Sequence, residues 1–224
     1  MQNLIEYLKK QNKTWQFWLR CDDIGIFTKN FSAFDKLVKK YKIPTIYAVI
    51  PTQLEYKTVK LIKKNKFVWV SQHGYEHCNH AGKQKCELVC DQELIENVLT
   101  EKENLKNIFP KQFVNILTPP YYNIDNKMSD VLKNHFDCIS LFLDKSATFA
   151  KKLNPNVELV DWNVKNVFAG DSYVNNQIKK CSKKYDHISL CVHCEALDQA
   201  GFDYLEQFFK LVNKNKFFNK GLKI

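Results

Sequence analysis

Asp22 and Asp23 close an apolar run, Trp-Gln-Phe-Trp-Leu-Arg-Cys-Asp-Asp-Ile-Gly over residues 15–25, and further along the chain reads His73-Gly-Tyr-Glu-His77. One carboxylate and two imidazoles make a metal site with open coordination positions, and a second carboxylate beside them is a ready proton acceptor. The pattern points to a metal-dependent hydrolase. The four-residue spacing of the histidines predicts both rings on one face of a helical turn, where they can share an ion. Each motif has a plainer reading alone: Asp-Asp-Ile-Gly also suits an ordinary turn, and His-x-x-x-His also suits a polar helical face. Together, each after a strongly apolar strand, they fit an active site at the carboxyl ends of strands in an α/β fold.

Short β-rich runs alternate with longer amphipathic stretches, the pattern of a largely parallel sheet with helices crossing its faces. Strands are predicted over 16–21, 45–50, 67–72, 113–117, 138–143, 158–160 and 188–192. Helices are predicted over 31–42, 53–64, 91–109, 125–134, 172–184 and 196–213. The third helix shows Leu94, Ile95, Val98, Leu99, Leu105 and Ile108 at helical spacing behind an Asp91 cap. This order predicts a distorted (β/α)7-type barrel of mostly parallel strands. A doubly wound open sheet would be expected to carry a glycine-rich phosphate loop after its first strand, and Asp22-Asp23-Ile24-Gly25 is not one.

The 224 residues can bury one substantial core, and no composition break divides them, so one catalytic domain over 1–224 is expected. Residues 1–10 carry charges within their apolar segment and offer neither a signal-peptide core nor a membrane span, which predicts a cytoplasmic protein. The eight cysteines then read as reduced thiols. A net charge of +10 would suit a nucleic-acid partner, but almost all of it is lysine spread in pairs at 9–10, 39–40, 63–64, 151–152, 179–180 and 183–184. Solvated helix faces accommodate such pairs, and no nucleic acid is expected. Arg20 is the only arginine, two residues before Asp22; in an extended strand the two face the same way.

Five segments fall at predicted strand ends: 20–25, 72–78, Leu117-Thr-Pro-Pro-Tyr-Tyr122, Val160-Asp-Trp-Asn163 and Leu190-Cys-Val-His193. Their order and spacing over 15–198 resemble the polysaccharide deacetylase family, the NodB-type metal-dependent carbohydrate deacetylases, and within it an intracellular subgroup with His-Gly-x-x-His. The resemblance implies that Asp23, His73 and His77 bind a divalent transition metal, zinc first and cobalt, nickel, manganese or iron as alternatives. It implies further that Asp22 is the general base, that His193 is the general acid tuned by Asp161, and that the Tyr121 N–H after Pro120 binds the oxyanion. Tyr75, Tyr121, Tyr122 and Trp162 could form a platform for a sugar ring.

Two positions depart from the family pattern. Thr118 stands where the third motif has an arginine, and Arg20 is its candidate replacement. Gly74 stands where the family favours Ser or Thr after the first metal histidine. The expected substrate is a small acetylated saccharide, nucleotide sugar or lipid-linked sugar in glycan biosynthesis.

Other chemistries compete. Cys191-Val-His-Cys194 between a strand and a helix also suits a thiol-disulfide oxidoreductase. Two histidines and a carboxylate also describe non-haem iron oxygenases, although those favour antiparallel barrels. A basic glycan- or nucleic-acid-binding protein on a degenerate deacetylase scaffold is the non-enzymatic alternative. His80 could supplement the metal ligands or sit partly buried behind them, and Asp198 could support the His193 loop or simply open a helix.

Overall fold

The computed structural model describes residues 1–162 and 167–222, so Asn163, part of one quoted segment, lies outside the described residues. Helix α1 (Gln2–Lys10) precedes β1 (Trp15–Ile24), α2 (Lys29–Tyr41), β2 (Thr45–Val49), α3 (Tyr56–Lys63), β3 (Val68–Gln72), α4 (Gln92–Ile108), β4 (Phe113–Leu117), α5 (Asn126–Leu132) and β5 (Cys138–Ile139). The chain continues through β6 (Val157–Glu158), β7 (Val160–Asp161), β8 (Val167–Phe168), α6 (Asp171–Lys184), β9 (His187–Val192), α7 (Gln199–Lys214) and β10 (Phe218–Lys220).

The main sheet is parallel, in the order β5-β4-β3-β2-β1-β9-β6, with β10 added beside the start of β1. This is the distorted (β/α)7-type barrel that the alternation of elements predicts. β1 lies at its centre, paired with β9 on one edge and with β2 and β10 on the other. Because helices cover the sheet, β1 is apolar on both faces: Trp15, Phe17, Leu19 and Cys21 enter the main core, and Trp18 enters a smaller cluster with Ile46 and Ile116. A further cluster, Val98, Leu117, Met128, Leu132, Phe136 and Leu141, packs α4 and α5 over the far side of the barrel. Among the described residues no helix is long and apolar enough to cross a membrane.

Several boundaries differ from the sequence-based expectation. The strand expected over 138–143 stops at Ile139, since the Ser140 and Leu141 carbonyls turn away to accept hydrogen bonds from Arg20. The strand expected over 158–160 is split into β6, which pairs with β9, and β7, which pairs antiparallel with β8. The last long helix starts at Gln199, not 196, because Asp198 is its cap and accepts from the Gly201 N–H at 2.9 Å. The cap expected at Asp91 forms too, accepting from Leu94.

Candidate active site

The carboxyl ends of β1, β3, β4 and β9 converge on one cavity: Asp22 and Asp23 stand near the end of β1, His73, Tyr121 and His193 follow β3, β4 and β9, and Lys145 and Trp162 come from the segments after β5 and β7. Pairing of β1 with β2 runs Cys21↔Tyr47 and then Ile24↔Val49, so three steps on one strand meet two on the other. Asp23 takes a left-handed φ of 61° at this irregularity. Such a bulge re-aims neighbouring side chains. Asp22 is buried against the wall of the cavity, whereas the Asp23 side chain remains 35% exposed at its floor.

Asp23 Oδ1 lies 2.9 Å from His73 Nε2 and 3.2 Å from His77 Nε2. His73 Nδ1 is 2.8 Å from the Thr118 carbonyl, which can only accept, so Nδ1 donates. Nε2 of His73 and Nε2 of His77 thus both face Asp23 Oδ1, and this donor set fits a divalent transition metal. Burial alone would raise the Asp23 pKa, but bonds and charge from His73 and His77 hold it well below the usual carboxylate range. His77 is correspondingly pushed up, since Asp23 outweighs the effect of burial.

The histidines do not share a helical turn. Residues 73–80 are irregular, with Gly74 at φ 58° and His77 at φ 65°. The backbone N–H groups of this loop converge on Glu87, which is fully buried. Its Oε2 accepts from the Tyr75 N–H at 3.1 Å, and its Oε1 accepts from Glu76, His77 and Cys78 at 2.8, 2.5 and 3.2 Å. The Tyr121 hydroxyl adds a bond to the His77 carbonyl at 2.9 Å.

Arg20 and Asp22 meet in a buried two-pronged pair, Nε to Oδ1 at 2.7 Å and Nη2 to Oδ2 at 2.8 Å. Nη1 is spent on the Ser140 carbonyl and hydroxyl and on the Leu141 carbonyl, at 2.9, 2.7 and 2.6 Å. Burial would raise the Asp22 pKa, yet Arg20, with His193 and His73, holds it below the ordinary value. Thr118 stays on its own strand end, with its hydroxyl 3.0 Å from that of Ser71.

His193 follows β9, and its Nε2 stands 3.9 Å from Asp22 Oδ2 and 4.0 Å from Asp23 Oδ2. The carboxylate 3.6 Å from its Nδ1 is Glu158. Asp161, the residue expected there, lies on β7 and pairs across to Val167, because the chain changes partner strand after Glu158. Glu158 is anchored by the Tyr122 hydroxyl at 2.6 Å and by the Leu159 and Val160 N–H groups. Burial disfavours the imidazolium, but Glu158, Asp22 and Asp23 together push the His193 pKa up to about 9.

The cavity holds about 530 Å³, and its upper walls include Tyr121, Tyr122, Trp162, Lys85 and Lys145. Trp162 stands edge-on to His193 at 4.6 Å between ring centroids. Tyr121 and Tyr122 both have positive φ, 58° and 54°, in the turn begun by Pro120. Tyr75 lines a neighbouring cavity instead, with Glu76, His80 and Asp91, because the Glu87-held loop directs it there. His80 sits in the same place, 3.8 Å from Glu76, apart from the Asp23–His73–His77 cluster.

The thiol-disulfide reading is not favoured. All eight cysteines are free, Cys191 and Cys194 are buried, and burial pushes the Cys191 thiol far up, the reverse of what a reactive dithiol needs. Cys191 Sγ packs 3.5 Å from Asp22 Oδ2 and 3.2 Å from the Tyr122 hydroxyl.

Spacing in the sequence does not single out Glu87 or Glu158. Glu158 has a faint signal as an acid inside a predicted strand. Glu87 has one as the lone acid of Cys-Glu-Leu-Val.

The chain belongs to the polysaccharide deacetylase family, whose sequence model matches residues 9–135. No curated protein sequence matches it. Its fold is similar to that of the peptidoglycan deacetylase PdaC from Bacillus subtilis, with a TM-score of 0.58, 14% identity, and coverage of 91% of this chain and 85% of that one. It is also similar to a family 4 acetyl xylan esterase from Clostridium thermocellum solved with a cobalt ion, with a TM-score of 0.62, 10% identity, and coverage of 91% and 86%. A third similar structure is BA3943 from Bacillus anthracis, described as a pseudoenzyme, with a TM-score of 0.60, 12% identity, and coverage of 91% of this chain and 61% of that one. Fold alone therefore does not separate active from inactive members.

Proposed function

We propose that this protein is a metal-dependent hydrolase that removes an N-acetyl or O-acetyl group from a sugar. The observation that carries the reading is the meeting of Asp23, His73 and His77 in one cluster while Asp22 and His193 flank the same cavity. A divalent ion, zinc as first choice, would be held by Asp23, His73 and His77, and when bound it supplies Lewis acidity to the acetyl carbonyl and to a water. Asp22, braced by Arg20, takes the proton of the attacking water. The Tyr121 N–H receives the developing oxyanion. His193 protonates the departing amine or alcohol, held by Glu158 in the place expected of Asp161. Trp162, exposed at the rim, offers its ring to the sugar.

Lys85 and Lys145 give the substrate reading a finer edge. Among the described residues neither forms an ion pair, and both are tied to the turn that carries Tyr121: Asn123 Nδ2 holds the Lys85 carbonyl, and Lys145 Nζ donates to the Tyr122 carbonyl at 3.1 Å. Two cations at the rim favour a saccharide with an anionic group, such as a nucleotide sugar or a lipid-linked diphosphate sugar, in a cytoplasmic step of glycan assembly.

The test is metal content. Purified protein is expected to carry about one transition metal per chain, since three ligands make one site. His73→Ala and His77→Ala should each empty it and abolish acetate release from acetylated sugars. Undiminished metal in both variants would refute the ligand assignment. Glu158→Gln should keep the metal and lose roughly tenfold to a hundredfold in kcat, because the amide no longer supports His193 as a cation. An unchanged kcat would remove Glu158 from the proposed machinery.

A further inference from the structure

Gly74 and Glu87 fit each other as a pair. A Cβ built at position 74 would lie 1.7 Å from Glu87 Oε2 and 2.7 Å from Pro120 Cδ, so the missing side chain at 74 is the space that the Glu87 carboxylate occupies. Four successive N–H groups, those of residues 75–78, point into this carboxylate. Successive N–H groups wrapped round an anion form a nest, and here the anion is supplied from inside the protein. The nest is formed where Gly74 and His77 take left-handed turns, and the His77 ring there lies 5.1 Å from the His73 ring, between centroids.

We infer that Glu87 is the positioning residue of the metal loop, its carboxylate filling from across the loop the space in which a side chain at position 74 would stand. The inference rests on the metal-site reading above. Glu87 touches no ligand ring; its contacts are to the backbone that carries His77. Its effect reaches the site through His77, whose loop it shapes and whose ring feels its charge, and it should be read first in metal affinity, before turnover.

The experiment uses full-length wild type, Glu87→Gln, Glu87→Ala, Gly74→Ala and the Gly74→Ala/Glu87→Ala double variant. Each is stripped of metal and titrated with Zn(II) against a chromophoric chelator, well below its thermal midpoint. Glutamine keeps one oxygen for Glu76, His77 and Cys78 but sets an amide N–H₂ against the Tyr75 N–H. Glu87→Gln should weaken zinc binding about tenfold, and Glu87→Ala on the order of a hundredfold, as for other groups that orient metal ligands from behind. The visible spectrum of the Co(II)-loaded protein should change in both, a signature that a general loss of stability would not produce.

Gly74→Ala alone should also weaken binding, by displacing the carboxylate and straining a φ of 58°. In the double variant the clash with Glu87 is gone, so its loss should be smaller than the product of the single losses. If Glu87→Ala does not fold, Glu87→Gln decides. Wild-type affinity and an unchanged cobalt spectrum in Glu87→Gln, or independent effects in the double variant, would overturn the inference while leaving the metal site standing. Wild type that takes up no zinc at all would overturn the site itself.

Discussion

Asp22→Asn should retain its metal and lose between a hundredfold and ten-thousandfold in kcat, whereas Asp23→Asn should lose metal affinity first and activity in consequence. The two residues are adjacent in sequence, but the irregularity of β1 separates their environments. Asp22 is locked to Arg20 and reaches His193 only at 3.9 Å, while Asp23 faces both His73 and His77. A positioned general base is worth roughly 10²–10⁴ in rate, which sets the size of the first loss. The Asp22→Asn variant would also present an amide N–H₂ to one prong of the guanidinium, so its thermal midpoint should fall as well. Metal content and kcat, both measured well below that midpoint, separate the roles. Metal lost from Asp22→Asn and kept by Asp23→Asn would mean that the assignments are reversed.

Which parts of this arrangement were legible in the sequence follows from the range of the interactions that make them. The period of two along a strand places Arg20 and Asp22 on one side, and that local rule suffices to bring them together. The strand predicted over 113–117 matches β4 at both ends, because the Pro119-Pro120 turn and the helix before it delimit a short β-rich run. β1 runs on to Ile24, past the predicted end at 21, since the buried Asp22 and the part-buried Asp23 continue the strand where polarity alone marks an end. The meeting of His73 and His77 was expected for the wrong local reason. A helical turn would have sufficed, but the chain uses two positive-φ residues and a buried acid from beyond the loop, and no i to i+4 pattern encodes that.

Glu158 and Asp161 show the same limit. The chain passes from the parallel sheet to the antiparallel β7–β8 pair between them, and that switch decides which acid sits 3.6 Å from His193 Nδ1. Helix α1 and strand β10 were absent from the predicted elements. Both depend on docking: Leu4 and Leu8 enter the main core, and Phe218 aligns with Trp15.

Arg20→Lys should bind metal and lose most activity, and Arg20→Met should do the same while unfolding at markedly lower temperature. The guanidinium is wholly buried and serves Asp22 twice, the Ser140 carbonyl and hydroxyl, and the Leu141 carbonyl, a set that one ammonium cannot satisfy in the same plane. With lysine the charge survives, but Asp22 is held at a single point and the chain after β5 loses donors. With methionine a buried carboxylate is left without its cation, a change that costs about 3–5 kcal/mol where such pairs are broken.

The pH dependence distinguishes bracing of the base from simple structural pairing. In the folded protein Asp22 is held below its ordinary pKa, although burial opposes this, because Arg20 favours the ionised form. A depressed carboxylate contributes stability above its unfolded pKa and loses it as pH falls through the folded value. The stability deficit of Arg20→Met should therefore be largest near neutral pH and narrow in acid. The base must be ionised to act, so removing the cation raises its pKa and moves the acidic limb of the pH–rate profile to higher pH. In Arg20→Lys, where a positive charge remains, the limb should move less than in the methionine variant. Profiles of kcat for the metal-loaded wild type and both variants provide the measurement. Unchanged activity with an unmoved acidic limb would show that Arg20 does not fill the place of the arginine missing at Thr118.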